Sequence, residues 1–579
     1  MEDSHFKEEF KLEIPEGRKR RRKKKRQSKP VFKEYNQNQI KLLPPSLEEM
    51  IPEKHLVRVV NDTVDKMDIT SLIETYKGGG SSAFHPLMLI KVLLYAYSMK
   101  IYSCRSIEKE LRENINFMWL SGNNQPDFRT INTFRSGRLK DVVENLFGSM
   151  LILLVEGKYI DLKKYFVDGT KLQADANKNS YVWKSNTNRY KEGVQKKVAE
   201  LFKQIDEINC AEDKEYGNKN FEELGEQSEL TSSQLEEAVE KLNEVIKGQK
   251  EQTSKERNRN NSKKKKSDKD NNNNDSNDNN DKPNDSNDNN ISKMKELSRI
   301  VKQIGKAVPK LSKYEAQEKI LGKRNSYSKT DQDATFFKMK NGELLPGYNV
   351  IIGTENQIIV NYTIHQKASE SDQFISHMTQ YYQYHNKYPE LSVGDATYGN
   401  EENYKFLEDN NIENYLKYNT FHYETTKAYK ENKFQRENFK YDEEADNYEC
   451  PNGRKMIFKE EKQQNTLTGF EQTVRIYESE SCKGCQFRKQ CKKKGGGKKK
   501  INVNRNNERL RAQARVKLTS EEGISLRKQR NIDVEPCFGD LKFNQGYKRF
   551  RLRGKEKVNI EFGLLSMSHN IRKIALKMT

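Results

Sequence analysis

The sequence changes period at Lys164-Tyr-Phe-Val-Asp168-Gly-Thr-Lys-Leu172, from a helical repeat to a short apolar strand that ends in a carboxylate. The sheet begun there is taken up again only near residue 326, and it then reads hairpin, helix, strand, helix, strand. Tyr348-Asn-Val-Ile-Ile352 and Gln357–Ile364 flank Gly353-Thr-Glu-Asn356, which predicts the hairpin turn. A helix is expected from about Asp372. Leu391-Ser-Val-Gly-Asp395 forms a second short strand ending in Asp, Glu401–Asp409 a second helix, and Ile412-Glu-Asn-Tyr-Leu416 a last strand. Such an order predicts an α/β fold, a mixed sheet with helices packed on it. Asp168 and Asp395 would then occupy strand ends, where side chains converge beside one cleft. Taken alone, Asp168 reads equally well as an Asp opening a turn before Gly169. Asp175 and Asn177 follow closely enough to support it.

What interrupts the sheet is helical. Val194, Val198, Leu201, Ile205 and Ile208 repeat at spacings of four and three, as do Met294, Leu297, Val301, Ile304, Val308 and Leu311. Leu235, Val239, Leu242 and Ile246 mark another helix, opened by Ser233 and Glu236 at capping-box spacing. These repeats predict an antiparallel coiled-coil arm over 191–325, with Pro309 breaking or bending its last turn. Residues 255–290, almost purely Asn, Asp, Lys and Ser, are expected to be a disordered loop within it, since nothing there offsets the entropy of ordering.

Ahead of the sheet, residues 31–155 read as an all-α N-terminal domain, expected from its basic residues to bind DNA. Leu87–Tyr97 is long and apolar, Pro86 suits a first helical turn, and Ser106 and Pro126-Asp-Phe-Arg-Thr130 open further helices. Residues 18–26 are nine consecutive cations in a tail, 1–30, expected to be disordered and to grip nucleic acid or another acidic surface. The whole chain has 579 residues and a formal charge of +21, which points to a polyanionic partner, DNA or RNA first. No apolar run approaches the ~18–20 residues of a membrane span, and the residues after Met1 lack the apolar core of a signal peptide. An intracellular protein without a membrane partner is therefore expected.

A second insertion, 419–505, holds Cys450 and the run Cys482-Lys-Gly-Cys485-Gln-Phe-Arg-Lys-Gln-Cys491. Four thiolates could enclose a tetrahedral zinc and hold together a module too small for a large core; free cysteines are the alternative. Lys492–Lys500 reads as a flexible basic linker.

Near the C-terminus, Arg530-Asn-Ile-Asp-Val-Glu535-Pro-Cys-Phe-Gly-Asp-Leu-Lys542 sets a carboxylate between two cations. A solvated helix face is the plain reading. A metal-holding acid flanked by phosphate-holding cations is the chemical one. Asp533 and Glu561 compete with Glu535 for that role, and Pro536 biases Glu535 away from helical angles, toward a helix start or a kink.

Taken in order, Pro126-Asp-Phe-Arg-Thr130, Val167-Asp-Gly-Thr-Lys171, Pro346-Gly-Tyr-Asn349, Gly394-Asp-Ala-Thr-Tyr-Gly399, Val534–Lys542, Phe550-Arg-Leu-Arg-Gly554 and His569-Asn570 resemble a DDE transposase of bacterial insertion sequences. The branch is the one named after insertion sequence eleven-eighty-two, within the insertion-sequence-four type. Departures are Asp331-Gln-Asp333 in place of Asp-Pro-Asp, Thr397 in place of Gly, and a partial Tyr-x2-Arg-x3-Glu-x6-Lys signature. Lys542 keeps its spacing from Glu535, Arg530 stands one residue early, and Lys528 holds the Tyr position.

The resemblance implies a ribonuclease-H-like core split between 156–190, 326–418 and a helical C-terminal part, 506–579. Its acidic triad would be Asp168, Asp395 and Glu535, holding Mg2+ (or Mn2+), with Lys542, Arg530 and Lys171 toward DNA phosphates. It further implies cleavage and strand transfer at terminal inverted repeats of double-stranded DNA, a homodimer on DNA, and a cytoplasmic, nucleoid-associated bacterial protein. Three hard oxygen ligands with no required histidine suit Mg2+ better than zinc. A catalytically inactive, repurposed DNA-binding protein is the rival, and a structure-specific nuclease a third reading.

Overall fold

The computed structural model describes residues 46–76, 83–216, 230–267, 285–492 and 497–578. The chain divides into Met1–Met50 and Ile51–Thr579. Of the first unit the described residues form one turn, closed by the Met50 N–H on the Leu47 carbonyl at 3.3 Å. The basic tail expected at 1–30 lies outside the described residues.

The second unit opens with seven helices: α1 (Leu56–Lys66), α2 (Thr70–Ile73), α3 (Pro86–Ser98), α4 (Cys104–Glu113), α5 (Ile115–Ser121), α6 (Phe128–Thr133) and α7 (Val143–Glu156). Local chemistry sets their starts. The rings of His55 and His85 accept the N–H groups of Val57 and Leu87, and Asp127 accepts that of Thr130. Pro86 is the first residue of α3, where a missing N–H costs no helical bond.

The chain then enters β1 (Lys164–Gln173) and β2 (Tyr181–Trp183) and leaves through α8 (Lys184–Tyr216), α9 (Ser232–Ser267), α10 (Asp285–Gly305) and α11 (Val308–Leu321). The apolar repeats read from the sequence do form one core, from Val198, Leu201, Phe202, Ile205, Leu242, Val301, Ile304 and their neighbours. It is shared by four helices rather than by the strands of a coiled coil. The cap of α9 lies two residues before the expected one: Thr231 and Gln234 bond reciprocally, with the Thr231 N–H on Gln234 Oε1 at 2.9 Å and the Gln234 N–H on Thr231 Oγ1 at 3.3 Å. Pro309 neither breaks nor bends a running helix; it stands in the first turn of α11, after the chain has already turned at Lys306-Ala307. The loop expected at 255–290 is helical backbone up to Ser267 and again from Asp285, and 268–284 lie outside the described residues.

The sheet resumes as β3 (Ser326–Ser328), β4 (Thr335–Lys338), β5 (Leu344–Glu355) and β6 (Ile358–His365), then α12 (Phe374–His385), β7 (Leu391–Gly399), α13 (Glu401–Asp409) and β8 (Glu413–Tyr418). Strands β2 and β3 pair as a ribbon at the root of the helical insertion. The main sheet runs β4-β5-β1-β7-β8, with β6 on the same edge of β5 as β4. Its β5–β1, β5–β4 and β5–β6 pairs are antiparallel, and its β1–β7 and β7–β8 pairs are parallel. β6 is buried along its whole length, and β5 along nearly all of it, so both faces of the sheet are covered.

The hairpin turn is Asn356-Gln357, with φ of 55° and 62°, and not the segment beginning at Gly353. Two consecutive left-handed residues match the right-handed twist of the strands they join. Gly353 lies inside β5, where an added Cβ would fall 2.0 Å from the Tyr165 ring. The glycine is required by that close approach, not by a turn.

The cysteine insertion contains α14 (Lys427–Lys430), β9 (Lys440–Asp442), β10 (Asn447–Glu449), β11 (Lys455–Asn465), β12 (Glu471–Ser479), α15 (Arg488–Cys491) and β13 (Lys500–Val503). Its five strands form an antiparallel sheet in the order β13-β12-β11-β10-β9, around a small core of Phe439, Met456, Tyr477, Ile501 and Val503. Three helices follow: α16 (Arg505–Thr519), α17 (Glu521–Gly539) and α18 (Lys555–Met578), with a π turn, Asp540–Asn544, after α17.

One hydrophobic core runs through the N-terminal helices, the main sheet and α16–α18. The N-terminal helices thus have no separate core. Helix α18 packs on α1, α3, α7 and β6, and the Asn570 amide exchanges two hydrogen bonds, both 2.9 Å, with the backbone of Ile359 on β6. That covers a strand edge which would otherwise present free N–H and C=O groups.

Candidate active site

The parallel pairing of β1 with β7 matches Phe166 to Val393. Two residues further along each strand, on the same face, come Asp168 and Asp395. Asp168 therefore lies within its strand, not at the end expected from its sequence. Asp395 lies just past Gly394, where regular pairing of β7 with β8 lapses, and its Oδ1 accepts the Thr397 N–H at 2.9 Å.

Glu535 reaches the same place from α17, which packs on β1, β5 and β7. It is neither at a helix start nor beyond a kink, for the helix continues through Pro536 to Gly539. A proline at 536 leaves the carbonyl of Ile532 without its helical donor. That carbonyl instead accepts Gln357 Nε2 at 3.0 Å, from the hairpin turn. Gln357 also gives its N–H to Asp533 Oδ1 at 3.0 Å, and its own carbonyl accepts from Cys537 and His569.

Arg530 joins the carboxylates. Its guanidinium is 6% exposed and lies 3.0 Å from Asp168 Oδ1 and 3.3 Å from Glu535 Oε1, whereas the Glu535 side chain is 54% exposed. Burial raises the Asp168 carboxyl above its usual range; Arg530 pulls it down, and the Asp395 and Glu535 charges add to the rise. The site thus sets Asp168, Asp395 and Glu535 around one buried guanidinium, with Lys542 and Lys417 close by.

The competing carboxylates have other work. Asp533 takes the Thr354 hydroxyl at 2.7 Å as well as Gln357, and Glu561 takes the Arg551 and Leu552 N–H groups, both at 2.9 Å to Oε2. Asp175 pairs with Arg549 and Arg553 at 2.6 and 2.9 Å, so it secures the segment before α18 and does not support the acidic site. The Asn177 N–H is on Thr330 Oγ1. Buried Asp331 accepts the Tyr348 hydroxyl and the Gly554 N–H, and Asp333 accepts the Lys555 N–H.

Of the cations, Lys542 sits in the π turn and donates to Thr170 Oγ1 and the Lys171 carbonyl, on β1 beside Asp168. Burial, with Lys340 nearby, pushes its ammonium down to about 8, against the pull of Asp168. Lys171 lies over the Phe337 ring at 5.7 Å. Two residues escaped the sequence reading. Lys417 on β8 feels Arg530, Arg527, Asp395 and Glu535, and burial lowers it. Glu370, just before α12, is pushed up to about 7 by burial and by the Asp168 and Asp395 charges. Its setting, Ser369-Glu-Ser371-Asp372, resembles an ordinary helix start, which hid it.

Cys450, Cys482, Cys485 and Cys491 line one cavity of about 30 Å3, together with Arg454, Lys499 and others. Burial raises the Cys491 thiol, Lys499 lowers it, and the other three cysteines raise it further. The Lys499 N–H donates to Cys482 Sγ at 3.3 Å. Among the described residues no three His, Cys, Asp or Glu side chains stand ready to hold a metal ion as they are. At the acidic site Arg530 lies between two of the three carboxylates.

The fold and site define an α/β protein whose mixed sheet carries a cluster of carboxylates ringed by cations. Residues 449–575 match a family model described as a transposase DDE domain, and residues 45–137 match one described as a transposase domain (DUF772). The first match includes Glu535, Lys542 and the four cysteines but neither Asp168 nor Asp395. Together the two matches support a DDE transposase. No curated protein matches the chain, and no solved structure does. No helix among the described residues is long and apolar enough to cross a membrane.

Proposed function

We propose that the protein is the transposase of a bacterial insertion sequence of the eleven-eighty-two branch. It binds the terminal inverted repeats of its element as a homodimer on double-stranded DNA, cuts them, and joins the freed 3′ ends to target DNA. The observation that carries this reading is the alignment of Asp168 with Asp395 across the parallel β1–β7 pair, with Glu535 brought to them through Arg530. The sheet order, with antiparallel strands on one side of β1 and parallel strands on the other, supports a ribonuclease-H-like core. A cytoplasmic, nucleoid-associated protein follows from its DNA substrate.

The donor set suits Mg2+ or Mn2+: three hard carboxylates, one of them, Asp168, half-buried and within electrostatic reach of the other two. Asp168, Asp395 and Glu535 would hold such ions, which when bound would supply activation of the attacking oxygen and stabilisation of the leaving one. Arg530 fixes the positions of Asp168 and Glu535 and offsets part of their mutual repulsion. Lys542 keeps an N–H free after serving Thr170 and Lys171, since an ammonium has three, and offers it to a phosphate oxygen; Lys171 and Lys417 extend the same basic rim.

The test uses a plasmid carrying the inverted repeats that flank the gene. Wild-type protein nicks them when Mg2+ is supplied. Asp168→Ala, Asp395→Ala and Glu535→Ala each abolish nicking while end binding in a gel shift persists; full activity in any of the three removes that residue from the site. Binding without nicking by the wild type identifies the alternative, a DNA-binding protein without catalysis.

Zinc is proposed for the four cysteines, on the strength of their common cavity. The module's five-residue core is small enough to need such a staple. Purified protein should carry one zinc per chain by elemental analysis. Cys482→Ser with Cys485→Ser should lose it and expose 419–505 to protease, and a zinc-free wild type with four titratable thiols decides for free cysteines.

A further inference from the structure

Glu370 belongs to none of the motifs above, yet its carboxyl group rests on the backbone of β1 beside Asp168. A Cβ added at Gly169 would stand 2.3 Å from Glu370 Cδ and 2.4 and 2.6 Å from its two oxygens. The strand is therefore bare at this residue in order to admit that side chain. Tyr398, buried and three residues beyond Asp395, donates its hydroxyl to Glu370 Oε2 at 3.2 Å. The other oxygen, Oε1, accepts no hydrogen bond among the described residues. Glu370 is thus held between the residue that follows Asp168 and the strand that carries Asp395.

A plain structural role does not account for the charge. Glutamine would accept the same tyrosine hydrogen bond without repelling two neighbouring carboxylates, and a half-buried carboxylate beside two others is unfavourable unless a cation joins them. Among the described residues no lysine or arginine is ion-paired with Glu370, Lys171 pulls on its carboxyl without bonding it, and Arg530 is engaged by Asp168 and Glu535. We propose that Glu370 is a fourth carboxylate of the Asp168–Asp395–Glu535 site, fixed by Tyr398 through one oxygen and offering the other to a divalent cation. The proposal rests on the metal-site reading given above and adds a ligand to it.

The test titrates Mn2+ into the full-length chain without DNA and follows the free-ion electron paramagnetic resonance signal. Two variants address Glu370 by different routes. Glu370→Gln removes the charge and keeps the Tyr398 bond. Gly169→Ala keeps the charge and displaces the flexible end of the side chain, at a backbone position that any residue can adopt. Each should weaken Mn2+ binding about tenfold or more, the scale seen when metal ligands lose their support. Without metal, Glu370→Gln should unfold at no lower a temperature than wild type, because removing a repelled charge costs no packing; a merely structural Glu370 would lower it. Asp168→Asn and Asp395→Asn are titrated alongside. If these lose Mn2+ while either Glu370→Gln or Gly169→Ala binds as wild type, the fourth-ligand proposal is overturned and the site reading stands. If all four variants bind as wild type, both fall together.

Discussion

Arg530 shows how much a neighbour decides what a charged side chain does. In the sequence it is a cation five residues from an acid, suited to phosphate; in the structure it is buried, and its two terminal nitrogens face Asp168 and Glu535. A planar guanidinium can hold two carboxylates in fixed relation, which a lysine at the same position could not. On the proposed function Lys542 is the cation left to meet DNA, and its environment would make that contact dependent on pH. An ammonium lowered to about 8 is charged below that pH and loses its charge as pH rises through it, well before an ordinary lysine would. Nicking of element ends should therefore decline above pH ~8 in the wild type. Lys542→Arg, which keeps its charge throughout, should hold its own smaller rate to higher pH. A parallel decline in both proteins would remove Lys542 as the titrating group.

Helix α17 carries a proline in its last turn and still delivers Glu535 to the sheet, because the hairpin turn supplies what the proline withholds. Gln357 donates to the abandoned Ile532 carbonyl, and its Oε1 accepts Lys573 Nζ at 2.8 Å from α18. Gln357→Ala should destabilise the chain by roughly 1 kcal/mol, the net worth of a hydrogen bond that water can partly replace. With Pro536→Ala as well, an N–H returns to position 536 and can reach the Ile532 carbonyl, so the loss should shrink. Denaturant midpoints of the four proteins in this cycle measure the coupling, and strictly additive losses would mean that the turn and the proline are independent. These elements also mark what the sequence could tell. Strands β1 and β7 and helix α13 were legible because apolar runs bounded by turn residues, and a capped amphipathic stretch, follow local rules. Gly353 has the look of a turn residue, but what requires it, the Tyr165 ring, comes from a strand far away in sequence. Nothing local to Glu535 announces the Gln357 bond that excuses Pro536, and only tertiary contact brings Glu370 to the residue beside Asp168.

Across the whole molecule, burial separates what the site needs from what has been added to it. One core unites the N-terminal helices, the main sheet and the last three helices, so the residues that hold α17 against β1 also hold α18 against α3. The helical insertion and the cysteine module each close a core of their own. At the root of the helical insertion, β2 and β3 pair, and α8 and α11 run side by side: Thr187 bonds Gln317 at 3.1 Å, Lys191 pairs with Glu318 at 2.7 Å, and the rings of Tyr190 and Tyr314 stack. The chain thus leaves the sheet and returns to it through neighbouring helical turns, and a short loop could join them there. Residues 193–315 can accordingly be replaced by a loop of about four glycine-rich residues, a usual length between antiparallel helices. The small cluster of Val182, Leu321 and Tyr327 at the root stays covered, since it lies below the cut. The shortened chain should unfold in one cooperative transition, bind Mn2+ as the full chain does, and nick element ends if the insertion plays no part in gripping them. Retained Mn2+ binding with lost nicking would assign the insertion to DNA. Loss of both would mean that the insertion's core stabilises the sheet, against the separation of the two cores.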